Sequence, residues 1–395
     1  MSIKKVIFFL FCGAFFVMPM GTSPFTILGG CALLLWLFSG EFIRSRQGYI
    51  GKKWFFPVAA IVCLYWAGLI WSYDPDGLGF KFASKTYYWL FAFAITSISV
   101  KDYSTEYLFK SFLAGLFLNA LVGFLQFVHI VPIISKFGTV YTGFYGGYNT
   151  LEILLVLGMM MASFYFNNAT GKKEKILYAL MTLCYFFHLS ILTGRGGYIT
   201  FFIMSPFIIY NLVPKKKKIL TPIIFFVAVG LMCLSPVVQD RAVETVNAIK
   251  EHFNAKEAYV TGEQYYAPLD RIYMWHWAIS LFKKHPFLGV GTGGYYKAIL
   301  LSGGDMGIAH PHNNILYIAV SFGLLGLSIY AWFFWIMLKS AWKHKRNPVG
   351  FFVLSSTLVI LVGGLVDTHI LDAGGAFLLA VTTGLVSMLP KKNES

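Results

Sequence analysis

Residues 313–338 read NNILYIAVSFGLLGLSIYAWFFWIML, a stretch without one charged side chain. As a helix rising about 1.5 Å per residue, it is long enough to cross the roughly 30 Å of hydrocarbon in a bilayer. Its apolar residues are continuous rather than alternating, which excludes a strand of a membrane barrel. Eleven further runs of this kind lie near 6–22, 25–40, 54–72, 86–100, 108–128, 149–167, 176–193, 197–213, 219–237, 351–366 and 374–389. The expected fold is therefore an all-α polytopic membrane protein of about 12 transmembrane helices.

Composition agrees. Of 395 residues, 57% are hydrophobic, 18% aromatic and only 12% charged, with a mean hydropathy of +0.66. A soluble domain carries about 25% charged residues, and one water-soluble core of this size cannot hide such an apolar surplus. Most soluble enzyme folds are excluded at once. The net charge of +15 suggests nucleic-acid binding until the positions are read. With the N-terminus placed in the cytoplasm, the inner connections hold the basic clusters at 4–5, 44–53, 172–175, 215–218, 339–346 and 391–392, together with Lys101 and Lys110. The short outer connections hold only Lys81, Lys85, Lys136 and Arg195. That asymmetry is the positive-inside pattern, with both termini cytoplasmic and no nucleic-acid partner expected. The run behind Lys4 and Lys5 has the outline of a signal peptide, but with eleven spans after it we read it as an uncleaved first helix. All five cysteines lie inside apolar runs with no pairing spacing, as small buried hydrophobes.

Three parts follow: 1–237 with nine transmembrane helices, 238–312 as one long periplasmic segment, and 313–395 with the last three helices and a cytoplasmic tail. The middle part contains two amphipathic stretches, 240–256 and 269–284, and the second mixes aromatics with charge in a way suited to a membrane surface. The glycine-rich turn at 286–295 is neither a Walker A sequence nor preceded by a strand, so a nucleotide loop is rejected.

Four outer-face places offer polar chemistry. Thr193-Gly194-Arg195-Gly196-Gly197 sets an arginine between apolar helices, either for a lipid headgroup or for a ligand approaching the bare backbone. Arg271 opens the aromatic helix and has the planar fork that suits a phosphate, or is simply a surface arginine. His310-Pro311-His312-Asn313-Asn314 supplies a histidine able to act as a general base near neutral pH. A metal pair from His310 and His312 would need further ligands, for which only Asp367, His369 and Asp372 are at hand; an interfacial structural pair is the plain alternative. The loop 141–149 suits sugar stacking or an aromatic belt, and 71–76 is equally ambiguous. Within the membrane the ionisable groups are Glu152, near the outer face and able to partner an arginine, and His188. A transporter would gather more such groups at mid-membrane in broken, repeated helices.

Taken together, these residues resemble a known family. His312-Asn313, nine residues, then Gly323-Leu324-Leu325-Gly326 resembles the histidine signature of bacterial O-antigen ligases. Arg195-Gly196-Gly197 before a span fits the wider ligase and polymerase superfamily. So does the Arg-x-x-x-Trp helix leading to Pro-x-x-Gly-x-Gly (Arg271, Trp275, Pro286, Gly289, Gly291). The motifs cover 190–330 and the span count covers the whole chain. One departure is Leu327-Ser328, where two threonines often follow the signature.

The resemblance implies an inverting membrane glycosyltransferase in lipopolysaccharide biosynthesis, acting at the periplasmic face of the bacterial inner membrane without metal or other cofactor. The implied donor is a glycan on undecaprenyl diphosphate and the implied acceptor a sugar hydroxyl of lipid A-core. In a polymerase the acceptor would instead be a second lipid-linked repeat unit, and a lipid-linked glycan transporter is the non-enzymatic alternative. By the same resemblance His312 is the base and Arg195 and Arg271 hold the diphosphate, with His310, Asn313 and Glu152 in support.

Overall fold

The computed structural model describes residues 3–98, 105–134, 140–254, 267–304 and 309–389, and among these every regular element is a helix. Each of the twelve apolar runs holds a helix. Four are long and apolar enough to cross a membrane: Ile3–Met20, Glu106–Phe127, Asn149–Asn168 and Asn314–Lys343. The bent pair Lys216–Cys233 and Pro236–Lys250 makes a fifth if counted as one span. Thr22–Phe38, Phe55–Ala67, Pro348–Gly363 and Ala373–Met388 are apolar but shorter. The run near 86–100 is divided between Lys85–Tyr88 and Trp89–Ser97. Its last two positions, Lys101, Lys136, residues 255–266 of the segment read as periplasmic, and the tail from 390 lie outside the described residues. Large apolar side chains such as Ile27, Phe38, Ile70 and Phe226 face outward, a surface that lipid covers without penalty.

The centre of the bundle is Asn149–Asn168, whose side chains are buried without interruption from Thr150 to Tyr165. Lipid is as apolar as leucine, so such packing depends on close fit rather than on escape from water. Small residues supply that fit. A methyl at Gly115 would overlap the Phe16 carbonyl, and one at Gly158 would overlap Leu116.

Two departures from regular helix shape the end of the bundle that matters here. The chain between Thr221–Cys233 and Pro236–Asn254 turns through 83° at Leu234-Ser235, where the Ser235 hydroxyl donates to the Ser190 carbonyl (2.6 Å). Pro236 opens the second helix, where its missing N–H costs nothing. The charged stretch therefore leaves the line of the span and crosses the bundle end.

The second departure is in Asn314–Lys343, which breaks at Gly323 (φ 62°, ψ −153°). The break frees backbone groups that would be costly unpaired in lipid. Residues 286–291 take them up: the N–H groups of Val290 and Gly291 donate to Val320 and Ser321 carbonyls (2.8 and 3.0 Å), and Leu324 N–H donates to the Pro286 carbonyl (2.8 Å). The contact is so close that a methyl at Gly289 would overlap backbone at 320–322, and one at Gly323 would overlap Phe287. The Pro-x-x-Gly-x-Gly and Gly-x-x-Gly elements are thus two halves of one junction. Gly323→Ala combines that overlap with a positive φ and is expected to cost about 1–3 kcal/mol or more. Detergent melting temperature and membrane accumulation measure it; an unchanged melting temperature would contradict the junction.

Candidate active site

The helices Asn149–Asn168, Arg195–Leu212 and Asn314–Lys343 all begin at this end of the bundle. Between them and the crossing helix lies a cleft of about 460 Å³, counted with its open side. Arg195, Arg241 and Arg271 line it together with Glu152, Asp367 and His369.

Arg195 is the first residue of its helix. Its Nε donates to Thr245 Oγ1 (2.9 Å) and its Nη2 to Glu244 Oε2 (3.0 Å), both on the crossing helix. Arg241 Nη1 donates to the same Glu244 oxygen (2.6 Å). Two guanidinium groups therefore already grip an oxyanion that belongs to the chain. Arg271 reaches the cleft from Ala267–Lys284, one turn before Trp275 on the same face. The Trp275 indole N–H donates to the Pro311 carbonyl (3.0 Å), so the Arg-x-x-x-Trp spacing ties an arginine to the histidine loop.

His312 sits at φ 46°, a left-handed conformation uncommon for a residue with a Cβ. Its neighbours hold it there. Asn313 N–H donates to Thr368 Oγ1 (3.1 Å) and its side-chain amide to the Leu365 carbonyl (2.8 Å), while its Oδ1 caps the following helix through Leu316 N–H (3.0 Å). Asn313 thus straps the loop down. The partner of the His312 ring is Asp367, with Nδ1 to Oδ1 at 2.8 Å. Burial pushes the Asp367 carboxyl up, but the hydrogen bond from His312 and the neighbouring His369 together hold it well below the usual carboxylate range. An ionised carboxylate only accepts, so in neutral His312 the proton sits on Nδ1 and the Nε2 lone pair is left open.

Glu152 was read as able to partner an arginine, and among the described residues no ion pair joins it to one. Instead its Oε2 accepts the Gly197 backbone N–H (2.7 Å) at the positive end of Arg195–Leu212. A methyl at Gly194 or Gly197 would collide with the Glu152 side chain. Gly194 and Gly197 thus make room for this internal carboxyl group, while Gly194 and Gly196 also line the cleft. His188 is likewise accounted for by structure. Its Nε2 donates to the Tyr141 carbonyl (2.8 Å), and with Asn119 and Gln126 it pins the 141–144 loop. The aromatic stretch 269–284 packs Met274, Ala278 and Leu281 inward and leaves Ile279 exposed. Among the described residues no group of three or more His, Cys, Asp or Glu is placed to hold a metal ion.

His310 lies ring to ring with His312 (centroids 4.6 Å). Burial, then the neighbouring His312, push it down to about 4. Between pH 6.5 and 4 the unfolded chain then binds a proton that the folded chain refuses, so stability falls as pH falls through that window. His310→Asn is expected to flatten the fall in melting temperature over this range. An identical slope in parent and variant would remove His310 as its source.

Asp367, His369 and Arg241 are cleft residues to which the sequence assigned no such place. Asp367 and His369 were considered only as metal ligands, and Arg241 only as a charge in an amphipathic stretch.

Among known families, residues 179–331 match the one described as O-antigen ligase. The matched stretch contains Arg195, Arg241, Arg271, His310, His312 and Asn313, while Glu152 and Asp367 lie outside it. No curated protein matches the chain.

Proposed function

Within the O-antigen ligase and polymerase superfamily, whose members are glycosyltransferase-like enzymes, we propose that this integral membrane protein is an O-antigen ligase. It transfers a glycan from undecaprenyl diphosphate to a sugar hydroxyl of lipid A-core. The observation that carries this reading is a cleft lined by Arg195, Arg241 and Arg271, two of which hold a carboxylate oxygen, and by Asp367, whose carboxylate orients the His312 ring beside it.

In the proposed step the acceptor oxygen attacks the anomeric carbon from the face opposite the diphosphate. Its proton passes to His312 Nε2, and Asp367 stabilises the imidazolium formed. The bond from the anomeric carbon to the diphosphate oxygen breaks, and its electron pair stays on undecaprenyl diphosphate. Arg195, Arg241 and Arg271 neutralise the negative charge that develops there, the task a divalent ion performs in other transferases. Single displacement inverts the anomeric centre. His310 and Asn313 keep the loop in place, and Glu152 fixes the backbone beside Arg195.

The same reading puts the cleft, with the helix Pro236–Asn254 across it, at the periplasmic face of the inner membrane. It gives the chain about twelve spans and two cytoplasmic termini. It is supported by Lys172, Lys173, Lys175 and the basic cluster at 339–346, which begin or end helices at the opposite end of the bundle.

Deleting the gene in its native host tests the reaction. Extracted lipopolysaccharide with bare core, and long polymer still attached to undecaprenyl, is the expected result. Core carrying a single repeat unit, with no long chains in either pool, would replace this reading with polymerase.

A further inference from the structure

At the end of the bundle away from the cleft, the last turns of Asn149–Asn168, Arg195–Leu212 and Asn314–Lys343 part from the first turns of Pro348–Gly363. They leave a groove of about 2880 Å³, counted with its open side. The groove has two chemically distinct zones. Its wall is apolar, built from side chains such as Phe164, Phe207, Phe351, Leu354 and Leu358. Its rim carries Lys339, Lys343, Lys345 and Arg346, and no Asp or Glu lines it.

Those four cations have no acidic partner among the described residues. Lys339 and Lys343 stand four residues apart on one helix face, where like charges repel. Two amines rest instead on indole faces at the rim, Lys345 Nζ 3.6 Å from the Trp342 ring centroid and Lys339 Nζ 5.7 Å from that of Trp335. Both tryptophans are more than half exposed (57% and 63%), as aromatic side chains are at the height of lipid headgroups. Asn167 and Asn211 add amide donors from the facing helices.

The positive-inside rule accounts for lysines on this side of a membrane but not for their arrangement around a concave apolar slot. Lys172, Lys173 and Lys175 satisfy the same rule, yet none of them lines the groove.

We propose that the groove binds one anionic two-chain phospholipid from the leaflet on the lysine-rich side. Its phosphate sits among Lys339, Lys343, Lys345 and Arg346, and its acyl chains lie along the apolar wall. A free phosphate would leave that wall exposed, and a zwitterionic headgroup would leave the rim charge uncompensated. The inference does not depend on the activity proposed above.

The test uses the full chain, purified in detergent and stripped of lipid. Phosphatidylglycerol, phosphatidylcholine and inorganic phosphate are titrated separately, with bound lipid read by native mass spectrometry and thermal stability in parallel. The expected result is one tightly bound phosphatidylglycerol that raises the melting temperature, weak binding of phosphatidylcholine, and no effect of phosphate alone. Replacing all four rim residues by Gln is expected to weaken phosphatidylglycerol binding about tenfold or more, each basic residue near an anionic headgroup adding to the attraction. Lys172→Gln, Lys173→Gln and Lys175→Gln together are expected to leave it unchanged. Should the fourfold variant not accumulate, Lys343→Glu alone must abolish the preference for phosphatidylglycerol and Lys343→Arg must keep it. Equal binding of the two phospholipids overturns the proposal. So does equal loss in the rim and control variants, or displacement of the lipid by phosphate.

Discussion

His312→Ala is expected to lower glycan transfer about 10²–10⁴-fold while the protein still accumulates in the membrane, the range set by loss of general-base assistance. The loss should fall on kcat. In the proposed step His312 meets the acceptor hydroxyl, whereas the lipid-linked donor is held by arginines, so KM for the donor should change little. Asp367→Asn sharpens the test. Its side-chain amide can donate as well as accept, and an N–H turned toward the ring would place the imidazole proton on Nε2, where no acceptor proton could be received. Its loss should therefore approach that of His312→Ala. Asp367 also accepts the Thr368 N–H (2.7 Å), so the melting temperature must be followed alongside. An active His312→Ala, or an inactive Asp367→Asn that has merely lost stability, would remove the dyad.

That dyad marks where sequence reasoning stops. Helix positions were legible because apolar runs are a local signal: each of the twelve runs holds a helix. His312 and Arg271 were legible as parts of spaced motifs, and the spacing proves to have mechanical content, Trp275 anchoring to Pro311 and Gly323 breaking a helix against Gly289. Asp367 has no such local mark. It is an acid beyond an apolar run, and only the packing of two hairpin ends brings it within 2.8 Å of a residue 55 positions earlier. Arg241 was hidden differently, because apolarity continues up to Val238 and conceals the turn at Ser235-Pro236 that carries it over Arg195. Glu152 was noticed, but its partner is a backbone N–H, which side-chain identities do not announce.

Arg271→Ala is the second large effect, an expected loss of about 10²–10³-fold for removing a donor aimed at developing charge. Among the described residues Arg271 has no ion-pair partner, whereas Arg195 and Arg241 share Glu244. In the proposed step Arg271 is thus the cation that meets the diphosphate first, and Arg195 and Arg241 do so on releasing a carboxylate. Arg271→Lys should recover only part of the loss, since an ammonium cannot offer two parallel N–H groups. Glu244→Gln should act in the opposite direction. With the internal anion neutralised, binding of inorganic pyrophosphate, measured by calorimetry on the purified protein, should tighten several-fold, and KM for the donor should fall. Alanine at Arg271 should weaken that same binding whether or not Glu244 is present. If pyrophosphate bound equally to the parent, Arg271→Ala and Glu244→Gln, the arginines would be holding the crossing helix in place rather than waiting for a leaving group.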